Sequence, residues 1–263
     1  MGDFFDKARS DIYGGLANWR LWSALGWYDV RRRYRRSVFG PLWTTMSLAI
    51  AVAAIGTIYT KLFNRVPEVY IPHLGLGFLF WILISSLVKR SCRVFVLSER
   101  YIKGTRAPLS TFVFLMIWHD VIIFFYQFFV YIVIAVIFNI APGPVILLSG
   151  LGFVLLILNG VWFALFMGIL ATRYRDIPEI ISNVMQVAFF VTPILWMPDM
   201  IGRGFGVLDY NPFYHFIELL RAPLLGEAPD ALSWWVVIGI TAVGWIVAFP
   251  LFARYRGRIA YWL

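Results

Sequence analysis

From Pro41 onward the chain alternates long apolar runs with short polar, mostly basic ones. Residues 42–59 carry no charge. A run of about eighteen apolar residues lets a helix rising about 1.5 Å per residue cross roughly 30 Å of hydrocarbon. This pattern predicts six spans, at about 41–62, 73–88 (extending toward 97), 109–138, 145–171, 177–198 and 232–253. Asn139-Ile140-Ala141-Pro142-Gly143-Pro144 separates the third from the fourth by turn chemistry. Pro41 suits the first turn of the first span, where its missing N–H costs nothing. The predicted fold is an all-α integral membrane protein, a single transmembrane domain over 1–263 with its six-span bundle at 41–253.

The segments between spans carry their own periodicity. In 1–40, Trp19, Trp22, Leu25 and Gly26 fall at helical spacing, which predicts an amphipathic helix in the interface with its aromatics toward lipid. Residues 199–230 are polar and rich in Gly and Pro. Within them, Asn211-Pro212 reads as N-cap and first helical position of an amphipathic piece over 213–225, too short to span and so an external re-entrant or gate helix. Glu218 and Arg221, three apart, are placed to pair on it. Ala49, Ala53 and Thr57 form a small-residue face on the first span, and Gly160, Ala164, Gly168 and Thr172 one on the fourth. Residues 254–263 read as a basic tail.

Of 263 residues 61% are hydrophobic and only 14% charged, against about 25% charged in a soluble domain. The net charge of +9 sits in short clusters between apolar runs, a pattern of membrane topology and not of a nucleic-acid-binding face. With both termini inside, the inside segments hold 19 of the 23 Lys and Arg and the outside ones only Lys61, Arg65, Arg203 and Arg221, which predicts cytoplasmic termini. The single cysteine, Cys92, excludes an internal disulfide and a cysteine metal cluster. No cleavable signal sequence precedes the first span. There is no phosphate loop of the form G-x-x-x-x-G-K-[ST], no metal-spaced histidine cluster and no Gly-x-Ser-x-Gly elbow, so nothing supports catalysis and no cofactor is expected in this chain.

The candidate chemistry lies in a few positions. Arg31-Arg32-Arg33-Tyr34-Arg35-Arg36 places five arginines in six positions beside the first span. Orientation alone accounts for part of this. The excess suggests capture of a lipid phosphate, for which Arg31, Arg32, Arg35 and Arg36 are the candidates, because guanidinium binds phosphate oxygens bidentately. Asp120 is an intramembrane carboxylate, costly unless it faces a bundle interior or water. A structural or channel-lining hydrogen bond, to Asn159 or Gln186, is its expected role. A proton relay with His119 is the rival, although adjacent residues on a helix point about 100° apart. The third span is ringed by aromatics, Phe125 among them.

The Arg-Tyr-Arg-Arg-Ser core at 33–37, then Gly40-Pro41-Leu42-Trp43, Arg173-Tyr174-Arg175-Asp176-Ile177, Thr192-Pro193-Ile194-Leu195 and Asn211-Pro212, occur in an order and spacing that resembles the permease subunit of bacterial polysaccharide ABC exporters of the O-antigen, capsule and teichoic-acid type. The resemblance implies a homodimer in the bacterial cytoplasmic membrane carrying two copies of a separate phosphate-loop ATPase, which binds ATP and magnesium. It implies outward movement of a glycan linked to a lipid pyrophosphate. It assigns the inside loops to ATPase coupling, with Glu99, Arg100, Lys103, Arg173, Arg175 and Asp176 as the contacts. A glycan channel between two copies needs weak binding at many points, for which aromatics of spans one and five, Tyr59 and Phe190, are expected to serve with Phe125 and Asp120. Other classes consistent with the residues are a proton-coupled secondary transporter, a membrane transferase for lipid-linked sugars and a permease of the same type for another lipid or drug.

Overall fold

Hydrocarbon offers the backbone no water to pair with, so a segment inside it has to satisfy its own N–H and C=O groups, and a helix does so. The computed structural model describes residues 2–141, 143–200, 206 and 208–263, and among these it contains α- and 3-10 helices joined by turns, with no strand. Pro142 of the predicted turn and Arg203 of the outside charges lie beyond the described residues. Two helices, α1 (Gly2–Ala17) and α2 (Trp19–Arg33), precede the bundle. There follow α3 (Leu42–Leu62), α4 (Pro67–Ser91), the short α5 (Val94–Leu97) and α6 (Glu99–Gly104), α7 (Ser110–Ile137), α8 (Ile146–Arg173), α9 (Ile177–Val191), α10 (Pro212–Leu224) and α11 (Ala231–Trp262). Five of these, α3, α4, α7, α8 and α11, are long and apolar enough to cross a membrane.

The differences from the predicted elements have local causes. The expected span at 177–198 is instead a helix of 15 residues, α9, about 22 Å long. It stops because Pro193 pushes Thr192 into extended backbone (φ −84°, ψ 136°). The helix expected to start near 73 starts at Pro67, which occupies its first turn after the extended Val66. The tail expected at 254–263 is a continuation of α11 as far as Trp262. The amphipathic piece forms as read: Asn211 is extended and its Oδ1 accepts from the N–H groups of Phe213 (3.0 Å) and Tyr214 (3.4 Å).

The core is centred on α4, where Leu74, Leu76, Leu79, Phe80, Leu83, Ile84 and Leu87 are all buried against neighbouring helices. Around it α3 buries only a stripe, Thr45, Leu48, Val52, Gly56 and Thr60. The two small-residue faces have opposite fates. Gly160, Ala164, Gly168 and Thr172 are buried, and a Cβ on Gly168 would stand 2.8 Å from Val94 and 2.7 Å from Phe95, so glycine lets α5 approach α8. Ala49, Ala53 and Thr57 point outward and are exposed.

The N-terminal helices are docked to the bundle more firmly than an interface helix requires. Trp19, Trp27 and Tyr28 are exposed, as expected of interface aromatics, but Trp22 packs on Phe114 and Trp118 of α7. A Cβ on Gly15 would lie 2.1 Å from Ser110 Oγ, so only glycine allows this approach. Beside it the buried Asp11 accepts from the N–H groups of Leu109 (3.2 Å) and Ser110 (3.0 Å), at the start of α7, and from Arg256 Nη2 of α11 (2.9 Å). The Ser110 hydroxyl returns a hydrogen bond to the Asp11 carbonyl at 2.7 Å. One carboxylate therefore supplies acceptors to the unpaired first N–H groups of α7 and a counter-charge to α11.

Asp11→Ala is expected to cost about 1–3 kcal/mol, the penalty for leaving buried donors unpaired. Asp11→Asn, which keeps an acceptor, is expected to recover part of it. Thermal unfolding of the purified protein in detergent measures both, and an unchanged midpoint for Asp11→Ala would show that the clamp adds no stability.

Candidate functional site

The basic segments converge on one end of the bundle. Arg93, after α4, pairs with Glu179 of α9 at 3.1 Å, which ties the two inside loops together. Arg173, at the end of α8, lies over the rings of Tyr174 and of Trp262 in α11. Glu99 and Lys103 pair at 2.7 Å across one turn of α6, while Arg100, Arg175 and Asp176 are exposed. Glu99, Arg100, Lys103, Arg173, Arg175 and Asp176 thus share one end, where they offer a charged surface.

The arginine run divides between faces. Arg31 and Arg35, one turn apart, line a cavity of about 440 Å³ with Trp27, Tyr34, Pro41 and Tyr126. Arg32, rotated away from them, lines a second cavity of about 530 Å³ that also holds Arg90 and Arg100. Arg36 is exposed and lines neither.

Asp120 is 4% exposed and does not meet Asn159 or Gln186. Its Oδ1 accepts from Arg90 Nη1 at 2.6 Å, and the same Nη1 donates to His119 Nδ1. His119 Nδ1 stands 3.2 Å from Asp120 Oδ1, so the two neighbours share a cluster despite their angular separation on the helix. The arginine bridges them from α4. The second carboxylate oxygen of Asp120 is buried without a hydrogen bond among the described residues. The carboxylate is thus turned inward to a cation, the structural alternative of its expected role, with Arg90 in place of the expected partners Asn159 and Gln186. Asn159 instead donates to Thr241 Oγ1 (2.7 Å) and accepts from Trp162 Nε1 (2.8 Å), joining α8 to α11; Gln186 is exposed.

At the opposite end, α10 is inserted among α4, α8 and α11. Arg221, 3% exposed, donates to His73 Nε2 of α4 (2.9 Å), to the Pro193 carbonyl (2.9 Å) and to Glu218 (3.0 Å). The predicted Glu218–Arg221 pair therefore exists, but as one edge of a buried knot and not on a surface. Asn211 Nδ2 donates to Thr192 Oγ1 at 3.1 Å, so the Thr-Pro and Asn-Pro motifs meet. The last carbonyls of α10 lack helical donors and receive the hydroxyls of Ser149 (to Leu220, 2.9 Å) and Tyr131 (to Leu224, 2.8 Å). His215 Nε2–H donates to the Asp209 carbonyl (3.0 Å), and its Nδ1 is hydrogen-bonded to the Ser233 hydroxyl (2.9 Å).

The aromatic candidates are not brought together within one chain. The ring of Tyr59 meets that of Phe63 just after its helix, the ring of Phe125 meets those of Phe124 and Phe153, and the ring of Phe190 meets that of Phe189 and is 61% exposed. Sequence reasoning missed Asp11, His73, Arg90 and Arg256 as partners. Each arginine was accounted for as a topological charge, and the pairs 11–256 and 73–221 are too far apart in the chain for any local spacing to reveal them.

The chain was compared with known proteins. The family model for the ABC-2 type transporter matches residues 20–225. Two proteins from Klebsiella pneumoniae, each named O-antigen export system permease protein RfbA, are similar to it. One is 26% identical over 246 residues, covering 88% of this chain and 90% of the relative. The other is 27% identical over 199 residues, covering 72% and 74%.

Arg90→Met, which strands Asp120 in the bundle, is expected to destabilise by about 3–5 kcal/mol, whereas the double change Arg90→Met with Asp120→Leu is expected to regain most of the loss. Membrane protein level and unfolding midpoint read both. A double variant no more stable than the single would show that the cation contributes by something other than offsetting this carboxylate.

Proposed function

Because the chain belongs to the ABC-2 type transporter family, the membrane subunits that work with an ATPase partner and are not themselves enzymes, we propose that it is the permease of an ATP-driven exporter moving a lipid-linked polysaccharide of O-antigen or capsule type outward across the bacterial cytoplasmic membrane. The carrying observation is the pair of O-antigen export permeases aligned with it, one of them over 88% of its length. ATP and magnesium bind the partner subunit, and the chain itself holds neither.

The basic end faces the cytoplasm in this reading, consistent with its 19 of 23 cationic side chains. There α5–α6 and residues 173–179 receive two copies of the ATPase. The helix α9, with the turn at 192–195 after it, makes a sixth crossing in this reading, and α10 stands as a gate beside its outer end. Two copies of the chain form the channel. The exposed Ala49, Ala53 and Thr57 on α3 and the outward face of α9 with Phe190 support this, since they are helix faces that none of the described residues covers. Tyr59 and Phe190 are the proposed glycan contacts, with Phe125 a further apolar surface. The fixed pairing of Asp120 with Arg90 speaks against a proton relay at this carboxylate.

Deletion of the gene in its native host is expected to abolish surface polysaccharide and accumulate lipid-linked glycan inside, with recovery on re-expression. Tyr59→Ala combined with Phe190→Ala is expected to lower surface glycan at least tenfold at unchanged membrane protein level. Normal surface glycan in the deletion strain would overturn the substrate class. Charge reversal at Lys103 and Arg175 is expected to weaken ATPase co-purification while the permease still inserts; undiminished co-purification would remove these loops from the contact.

A further inference from the structure

The cavity of about 530 Å³ between α2, α5–α6 and the first turns of α7 is lined by groups that the topology of the chain does not require to meet. Arg32 comes from the end of α2, Arg90 from the end of α4 and Arg100 from α6. The only carboxylate among the lining residues is Asp29, 3.5 Å from Arg32 in an exposed pair that holds weakly. Asp120 engages Arg90 through Nη1 and so anchors that guanidinium at the cavity from the bundle side. Arg100 makes no ion pair or hydrogen bond among the described residues. The rest of the lining includes the apolar Leu25, Val94, Phe112 and Met116. Guanidinium groups beside apolar side chains, where an interface helix meets the start of a span, match a phosphate whose ester carbon continues into hydrocarbon.

We infer that this cavity binds a phosphate group carried on a lipid, held between Arg32 and Arg100 with Arg90 behind them. The consequence is specific to Arg100. It belongs to the segment proposed to contact the ATPase, so the lipid phosphate and the ATPase share one short helix, and occupancy of the cavity alters the surface that the ATPase meets. The inference deepens the exporter reading, on which it rests for the identity of the natural lipid. The binding itself is a property of the permease alone.

The test uses the full-length permease, purified in neutral detergent, with geranylgeranyl pyrophosphate as the probe and inorganic pyrophosphate and phosphatidylglycerol as competitors. Wild type is expected to bind the prenyl pyrophosphate. Arg32→Gln and Arg100→Gln are each expected to weaken it at least tenfold, and Arg100→Lys, which keeps the charge but loses the bidentate fork, to fall between. Arg106→Gln removes an equal charge from the same exposed loop without touching the cavity, and is expected to bind as wild type does. Competition by phosphatidylglycerol at matching affinity assigns the site to bulk anionic lipid, and its failure to compete assigns it to a prenyl carrier; both uphold a lipid-phosphate site. Inorganic pyrophosphate binding as tightly as the lipid overturns the inference, as does an Arg106→Gln loss as large as that of Arg100→Gln or an unchanged Arg100→Gln protein. Absent binding with normal glycan export would remove this site and leave the exporter reading standing.

Discussion

A charge enclosed in this bundle has to bring its own partner, because water is not there to supply one. Three partnerships meet that condition, and each joins segments remote in the chain. Asp11 holds the first helix to the start of α7 and the end of α11. Arg90 reaches from α4 to Asp120 and His119 on α7. Arg221 draws α4, the chain after α9 and α10 to one point. The apolar contacts around them are non-directional and tolerate sliding, whereas a paired charge does not. Each of these three contacts fixes one point at which particular helix faces meet.

The same economy explains how a helix of 13 residues sits among others of 25 to 32 residues. Its ends expose unpaired N–H and C=O groups, which would be costly in an apolar setting. Asn211 covers the first N–H groups, and Ser149 and Tyr131 cover the last carbonyls. The cation Arg221 in its last turn is favourable toward the helix dipole as well as toward Glu218. Pro193, which ends α9, offers its carbonyl to that same arginine, so the break in one helix is used to fix the next.

Coverage around α4 is uneven, and the unevenness is informative. α4 is enclosed on nearly every side, while α3 and α9 leave apolar faces open. An open face can be covered by lipid or by a second copy, and small residues on α3 allow close helix approach. At the basic end, α2 and α6 both contribute side chains to one cavity.

Much of this architecture was legible in the amino-acid order. The all-helical character, the places of the five long helices along the chain, with α3, α7 and α8 bounded to within a few residues, and the Asn211-Pro212 start of α10 follow from local rules: apolar length, turn residues and capping chemistry. The clustering of basic segments at one end was likewise readable, since each alternate loop carries them. The length of α9 was misjudged because apolar content continues past Thr192 while the backbone, governed by Pro193, does not. What only the tertiary structure decided is which polar groups meet. Asp120 finds Arg90 and not Asn159, Arg221 is buried and not on a surface, and the arginine run divides so that Arg32 joins Arg90 and Arg100 while Arg31 and Arg35 face elsewhere. Helical periodicity orders residues around one axis; the rotation of each helix against its neighbours is set by the sum of contacts between them, and no single stretch of chain contains that sum.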